Sequence, residues 1–191
     1  MDKSIYSIPN LLSLLRIALV PVLALSAAFN QGHLFLLVLA ISLLSDLLDG
    51  YFARKLHQVT ELGARLDSWA DIATYAMMLL GLYLIWPRIF DQQFFFLMAG
   101  TLSYLLPVII ALFRFGSYPS YHTWGAKLAA LLVAPAFYLL ILNDQQLFFR
   151  MIIILHVVVA LEEVAITFFL KKSKTNVASI LTIIANRNNK S

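Results

Sequence analysis

The sequence predicts an all-α integral membrane protein, a bundle of six transmembrane helices with both termini in the cytoplasm. Three observations predict it. The 191-residue chain is 61% hydrophobic and only 13% charged, whereas soluble domains are about 45–50% apolar and about 25% charged. The apolar residues gather into runs of about 20, the length that crosses hydrocarbon as a helix. The mean hydropathy of +0.84 also excludes a disordered chain. There is no cysteine, which removes disulfides, thiolate metal sites and cysteine nucleophiles together. The net charge is +4, yet no block of Lys or Arg sits beside stacking aromatics outside the apolar runs. Nucleic acid is therefore not an expected partner.

The first run, 8–28, is longer than the roughly 7–15-residue core of a signal peptide and contains Arg16 and Pro21, so it is expected to stay as the first helix. The second, 34–53, begins after the turn residues Asn30, Gln31 and Gly32. The third, 66–86, follows the polar connector 54–65. The fourth, 94–113, follows a connector expected at 88–93. The fifth, 123–142, comes after 116–122, and the sixth, 147–170, after 143–146. Pro107 and Pro135 lie inside runs, where neighbouring helices can satisfy the freed carbonyls. Trp86, Trp124 and the Phe94–Phe96 and Phe148–Phe149 clusters suit the two membrane interfaces. No linker, composition shift or fixed-period repeat divides the chain, so residues 1–191 are expected to form one membrane domain. Its basic tail, 171–191, either lies on an anionic leaflet or is disordered.

Orientation comes from the cations. With a cytoplasmic N-terminus, all of the 14 Lys and Arg residues except Arg88 and Arg150 fall on the cytoplasmic side. The positive-inside rule then places both ends, and the 54–65 connector, in the cytoplasm. The expected location is a bacterial inner membrane.

The acids point to chemistry. Of the ten acidic residues, Asp46, Asp49, Asp67, Asp71, Glu162 and Glu163 lie inside apolar runs. Each carboxylate near the middle of a membrane helix costs about 2.5–3.5 kcal/mol unless compensated, so a compensating ligand is expected. Asp46 and Asp49 are spaced i,i+3, with Gly50 and Ala53 continuing their stripe. Asp67 and Asp71 are i,i+4, with Gly63 one turn earlier. A short connection lets the two stripes face each other, and Gly50, Ala53 and Gly63 allow backbone or ligand to approach closely. Four carboxylates without His or Cys select hard cations, Mg²⁺ or Mn²⁺ before Zn²⁺. Two such ions would balance the charge and suit a phosphoryl displacement, with Arg54 placed to hold phosphate oxygens. A structural clamp between helices, or a cation or proton pathway, is the competing account, and a divalent-cation transporter is its functional form. His33, His57, His122 and His156 do not cluster by spacing and are not expected to bind metal.

The pattern Asp46-x2-Asp49-Gly50-x2-Ala53-Arg54-x8-Gly63-x3-Asp67-x3-Asp71 resembles the motif of the class I CDP-alcohol phosphotransferases, also called CDP-alcohol phosphatidyltransferases. The opening Asn10-Leu-Leu-Ser13-Leu-Leu-Arg16 is similar to that family's first helix. The resemblance implies a six-helix homodimer in which CDP-diacylglycerol gives its phosphatidyl group to an alcohol and releases CMP. It implies that Asp46, Asp49, Asp67 and Asp71 hold the metal ions, and that Asp71 also takes the proton of the acceptor hydroxyl. Gly50, Ala53, Arg54, Thr60, Gly63 and Asn10 would meet the CDP-lipid.

For the acceptor, the resemblance points to Arg114 and Lys127, basic residues near places that serve phosphorylated acceptors such as glycerol 3-phosphate or inositol phosphate. Snorkelling anchors are the competing reading of both. Arg16 either lines the same pocket or anchors its helix. Glu162 and Glu163 point about 100° apart on a helix, so one at most is expected to reach acceptor hydroxyls, and structural pairing with Lys127 or Arg114 is the alternative. Glycerophosphate-using members often carry Pro where this chain has Ser68 and Lys where it has Ile72. Serine or another unphosphorylated alcohol therefore stays open as acceptor.

Overall fold

In a computed structural model, residues 7–56, 58, 60–116 and 123–170 are described. They form six helices: α1 (Ile8–Ala28), α2 (Gly32–Lys55), α3 (Glu61–Ile85), α4 (Pro87–Phe115), α5 (Trp124–Asn143) and α6 (Gln146–Phe169). All six are long and apolar enough to cross a membrane. Large apolar side chains such as Phe95 and Phe113 stand more than four-fifths exposed, which suits hydrocarbon and would be a liability in water. Contacts concentrate within two units, residues 1–92 and 93–191.

In the first unit, α1 packs along both α2 and α3. Pro9 sits in the first turn of α1, where its missing N–H has no intrahelical partner to lose. The helix ends through Asn30, at φ 55°, a left-handed conformation that Asn tolerates better than most residues. Around it Asn30 N–H donates to Ala27 O and Gln31 N–H to Ser26 O, closing the last turn and reversing the chain into α2. At the far end from the acidic residues, the buried Phe35 ring of α2 lies over Gly81 of α3. A Cβ on Gly81 would stand 2.3 Å from that ring. Trp86 closes the same corner, edge-on to Phe35 with ring centroids 6.0 Å apart.

Two boundaries differ from the sequence expectation by more than two residues. Helix α3 begins at Glu61 rather than 66, because the Thr60 hydroxyl accepts from Gly63 N–H at 3.0 Å and caps the first turn. The connector expected at 88–93 is helical: α4 starts at Pro87, a residue pre-set for a first turn, and the polar residues after it continue the helix. Gln93 is fully buried there.

In the second unit, α5 packs on α6, close enough that a Cβ on Gly125 would stand 2.9 Å from Val159. Gln93 of α4 donates to Gln146 Oε1 at 3.0 Å and accepts from Arg150 Nε at 3.0 Å. Arg150 also donates to Gln146 Oε1 at 3.1 Å and lies over the Phe96 ring. A half-buried arginine is thus satisfied by amides rather than by an acid.

Candidate functional site

The acidic site is built by the three helices of the first unit. Asp46 and Asp49 lie in the last turns of α2, and Asp67 and Asp71 in the first turns of α3. The reversal between these helices therefore brings both pairs to one end of the unit. One oxygen each from Asp46, Asp49 and Asp67 falls within 4.8 Å of the others. Asp71 joins through Arg16, whose Nη1 donates to Asp71 Oδ1 and to Asp46 Oδ1, each at 2.6 Å. Nη2 of the same residue donates to Asp49 Oδ2 at 2.7 Å and to Asp67 Oδ1. The Arg16 side chain is only 2% exposed, against 7% for that of Asp49 and 41–49% for the other three. Asp49 is thus the floor of the site, and Asp46, Asp67 and Asp71 form its open rim.

The sequence singled out the four aspartates, and the structure brings all four together. It also places Arg16 at their centre, hydrogen-bonded to all four. Ser13 went unnoticed as a site residue. Its hydroxyl lies 3.0 Å from Asp49 Oδ2 and 3.3 Å from Pro9 O, so the floor carboxylate is held from α1 as well. The signal was present in the sequence: Asn10, Ser13 and Arg16 recur every third position of an otherwise apolar run, and all three are buried.

The residues expected at the CDP-lipid gather near the same end. A Cβ on Gly63 would stand 2.5 Å from Asn10 Oδ1 and 3.0 Å from Thr60 Oγ1. A side chain at Gly63 would require the Asn10 amide to move from where the first turn of α3 meets α1. Arg54 is exposed, and its Nη1 comes to 3.5 Å from the point a Gly50 Cβ would occupy. Ala53, half-buried on the same helix, accepts through its carbonyl from Gln58 N–H.

The four remaining acceptor candidates belong to the second unit. Arg114, exposed at the end of α4, donates to the carbonyls of Phe168 and Leu170 at 3.3 and 3.4 Å and lies over the Phe115 and Phe168 rings. It satisfies carbonyls that the end of α6 leaves without helical donors. Lys127 Nζ lies 5.2 Å from the centroid of the Trp124 ring. Glu162 and Glu163 are half-buried, with Glu162 Oε2 3.8 Å from the Cβ position of Gly125. Of the histidines, His156 bonds through Nδ1 to Ile152 O, and His57 and His122 lie outside the described residues, as does the tail 171–191.

Four carboxylates that already surround one cationic group form an oxygen-only donor set, and that chemistry fits a hard divalent cation. Six membrane-length helices and this cluster define a polytopic membrane protein with a site suited to such a cation. Residues 6–185 match the CDP-alcohol phosphatidyltransferase family, and the chain belongs to it.

The chain is 37% identical over 110 residues to the CDP-diacylglycerol–glycerol-3-phosphate 3-phosphatidyltransferase of Aquifex aeolicus, covering 56% of this chain and 61% of that protein. It is 35% identical over 145 residues to the cardiolipin synthase (CMP-forming) of Streptomyces coelicolor, covering 73% and 66%. The cardiolipin synthase (CMP-forming) of Rattus norvegicus is 45% identical over 67 residues, 35% of this chain and 22% of that protein. The chain thus spans less than two-thirds of the length of these relatives. No solved structure matches it.

Proposed function

We propose that the protein transfers a phosphatidyl group from CDP-diacylglycerol to a phosphorylated polyol, with glycerol 3-phosphate as the leading acceptor, and releases CMP. The observation that carries this reading is the convergence of Asp46, Asp49, Asp67 and Asp71 on one cationic centre, in a chain that belongs to the family. The acceptor hydroxyl attacks the β-phosphorus of the CDP-lipid, the bond from that phosphorus to the oxygen of CMP breaks, and the hydroxyl proton is taken up by a base.

Asp46, Asp49 and Asp67, with Asp71, would hold two Mg²⁺ ions, with Mn²⁺ as the alternative of the same hard, oxygen-seeking class. Bound there, the ions supply neutralisation of the diphosphate and of the departing CMP. Asp71 is the most open of the four, its side chain 49% exposed, which suits the group that must meet the incoming hydroxyl and take its proton. Arg54 offers a planar fork of donors to phosphate oxygens, and Gly50 leaves that fork room to lie against α2. Asn10, Thr60 and Gly63 provide the wall against which the cytidine side packs. The concentration of Lys and Arg at this end supports a cytoplasmic site, where the nucleotide stays in water while the acyl chains stay in hydrocarbon.

The test is release of CMP from CDP-diacylglycerol and Mg²⁺ by the purified protein across glycerol 3-phosphate, inositol phosphate, serine, inositol and choline. Release with glycerol 3-phosphate and not with serine is expected, and the reverse order would move the acceptor to the unphosphorylated class. The Asp71→Asn variant is expected to lose about 10²–10⁴ of the rate while folding normally; full activity in it would remove Asp71 as the base. One specific observation favours a second acceptor. A likeness over 73% of this chain is to a cardiolipin synthase (CMP-forming), so phosphatidylglycerol belongs in the same panel, and cardiolipin as product would identify it.

A further inference from the structure

Arg16 is a cation seated where cations are expected to bind. It projects from α1, the first helix, and its two terminal nitrogens carry four N–H bonds. Each is directed at a different aspartate: Asp46 and Asp71 on Nη1, Asp49 and Asp67 on Nη2. Its Nε is buried without a hydrogen-bond partner, so the side chain is fitted to the carboxylates by its tip alone. The charge remains unbalanced: one guanidinium against four carboxylates leaves three negative charges, and the cluster still attracts cations.

A divalent ion ligated by these carboxylates would lie about 2.0–2.1 Å from their oxygens. A guanidinium hydrogen-bonded to the same groups at 2.6–2.7 Å occupies the space between them, and the two cations repel at such separations. Two divalent ions bring four positive charges, enough to replace the guanidinium entirely.

We propose that Arg16 is a built-in counter-cation that exchanges with the divalent ions, so that metal loading and withdrawal of the guanidinium from the cluster are one equilibrium. The inference rests on the metal reading under Proposed function. It gives Arg16 a task that metal cannot perform. Until the ions arrive, Arg16 keeps four carboxylates on apolar helices from repelling one another, and it sits on the helix that precedes both acidic ones. Arg16 is in this sense a positioning residue rather than a catalytic one.

The exchange makes a prediction whose sign separates it from a merely structural role. Mn²⁺ serves as the probe, with free ion counted by electron paramagnetic resonance in the full-length protein in detergent. Removal of a competitor tightens binding, whereas loss of a structural support weakens it. Arg16→Gln is expected to bind Mn²⁺ at least tenfold more tightly than the unaltered protein, and to gain more in thermal unfolding temperature when Mn²⁺ is added. Arg16→Lys, a point charge that cannot span four carboxylates, is expected to fall between. Equal or weaker Mn²⁺ binding by Arg16→Gln, with CMP release intact in the unaltered protein, overturns the exchange alone. No Mn²⁺ binding by either protein overturns the metal reading and the exchange together.

If Arg16→Gln does not fold, the unaltered protein answers by itself. Phenylglyoxal modification of Arg16, followed by peptide mass mapping, is expected to speed up at least threefold on saturation with Mn²⁺. An unchanged or slower rate overturns the exchange.

Discussion

At the scale of single residues, Asp49 differs from its three partners. Its side chain is 7% exposed where theirs are 41–49%, and its Oδ2 accepts from both Ser13 and Arg16. When the Arg16 guanidinium withdraws, the Ser13 hydroxyl still holds Asp49, and partners that orient a metal-binding carboxylate tune its affinity. Loss of one such hydrogen bond is worth about 1 kcal/mol. Ser13→Ala is therefore expected to raise the Mg²⁺ concentration needed for half-maximal CMP release roughly fivefold, with the larger effect at limiting Mg²⁺. A Mg²⁺ requirement that does not move would show that Asp49 is held by its helix alone. The aspartates were legible in the sequence because each is costly in hydrocarbon and because their spacing puts each pair on one helix face. Arg16 was legible as an oddity but not as their partner. A lone arginine on an apolar run has the same spacing whether it lines a pocket, anchors a helix or bridges four acids. Only the packing of α1 on both α2 and α3 decides among these.

At the scale of elements, the helices themselves were read from hydrophobic runs, and α1 occupies 8–28 as expected. The misses share one cause: hydropathy marks the part of a helix in hydrocarbon, not where its backbone hydrogen bonds begin. Helices α3 and α4 start before their apolar runs, where Thr60 caps one and Pro87 opens the other and charged or amide residues interrupt the hydropathy. The Thr60 cap also suggests why Gly63 stands in the acidic pattern: it donates to Thr60 and lies against Asn10, whose amide would have to move for any side chain there. The opposite end of α3 is governed by packing alone. There Gly81 receives the Phe35 ring, and a methyl group would stand 2.3 Å from it. Overpacking of this kind costs about 1–3 kcal/mol. Gly81→Ala is expected to lower the unfolding temperature of the detergent-solubilised protein, and Phe35→Leu in the same chain to recover part of that loss. If Gly81→Ala unfolds at the temperature of the unaltered protein, α2 and α3 are free to separate at this end.

At the scale of the whole molecule, orientation decides whether the proposed chemistry meets its nucleotide. The proposed transfer releases CMP, a soluble nucleotide, so under that reading the end of the first unit that carries the aspartates is expected to face the cytoplasm. The chain of α2, α3 and α4 gives a direct measure, because the connection after α2 and the start of α4 lie at opposite ends of α3. Leu56, just past α2, and Asp91, in the first turns of α4, are both exposed. The protein has no cysteine, so a single introduced thiol is labelled without background. Replacing Leu56 and Asp91 also leaves every Lys and Arg in place, and the charge bias that sets topology is undisturbed. In intact cells a membrane-impermeant maleimide is expected to label Asp91→Cys, and to label Leu56→Cys only after the membrane is opened. The reverse pattern would put the aspartate end outside, away from CDP-linked lipid headgroups and cytoplasmic Mg²⁺. Arg88 and Arg150 would then lie on the inside with every other cation opposed to the rule. Such a result would count against the phosphatidyl-transfer reading more heavily than the loss of any one side chain, since no residue substitution could bring the substrate to the site.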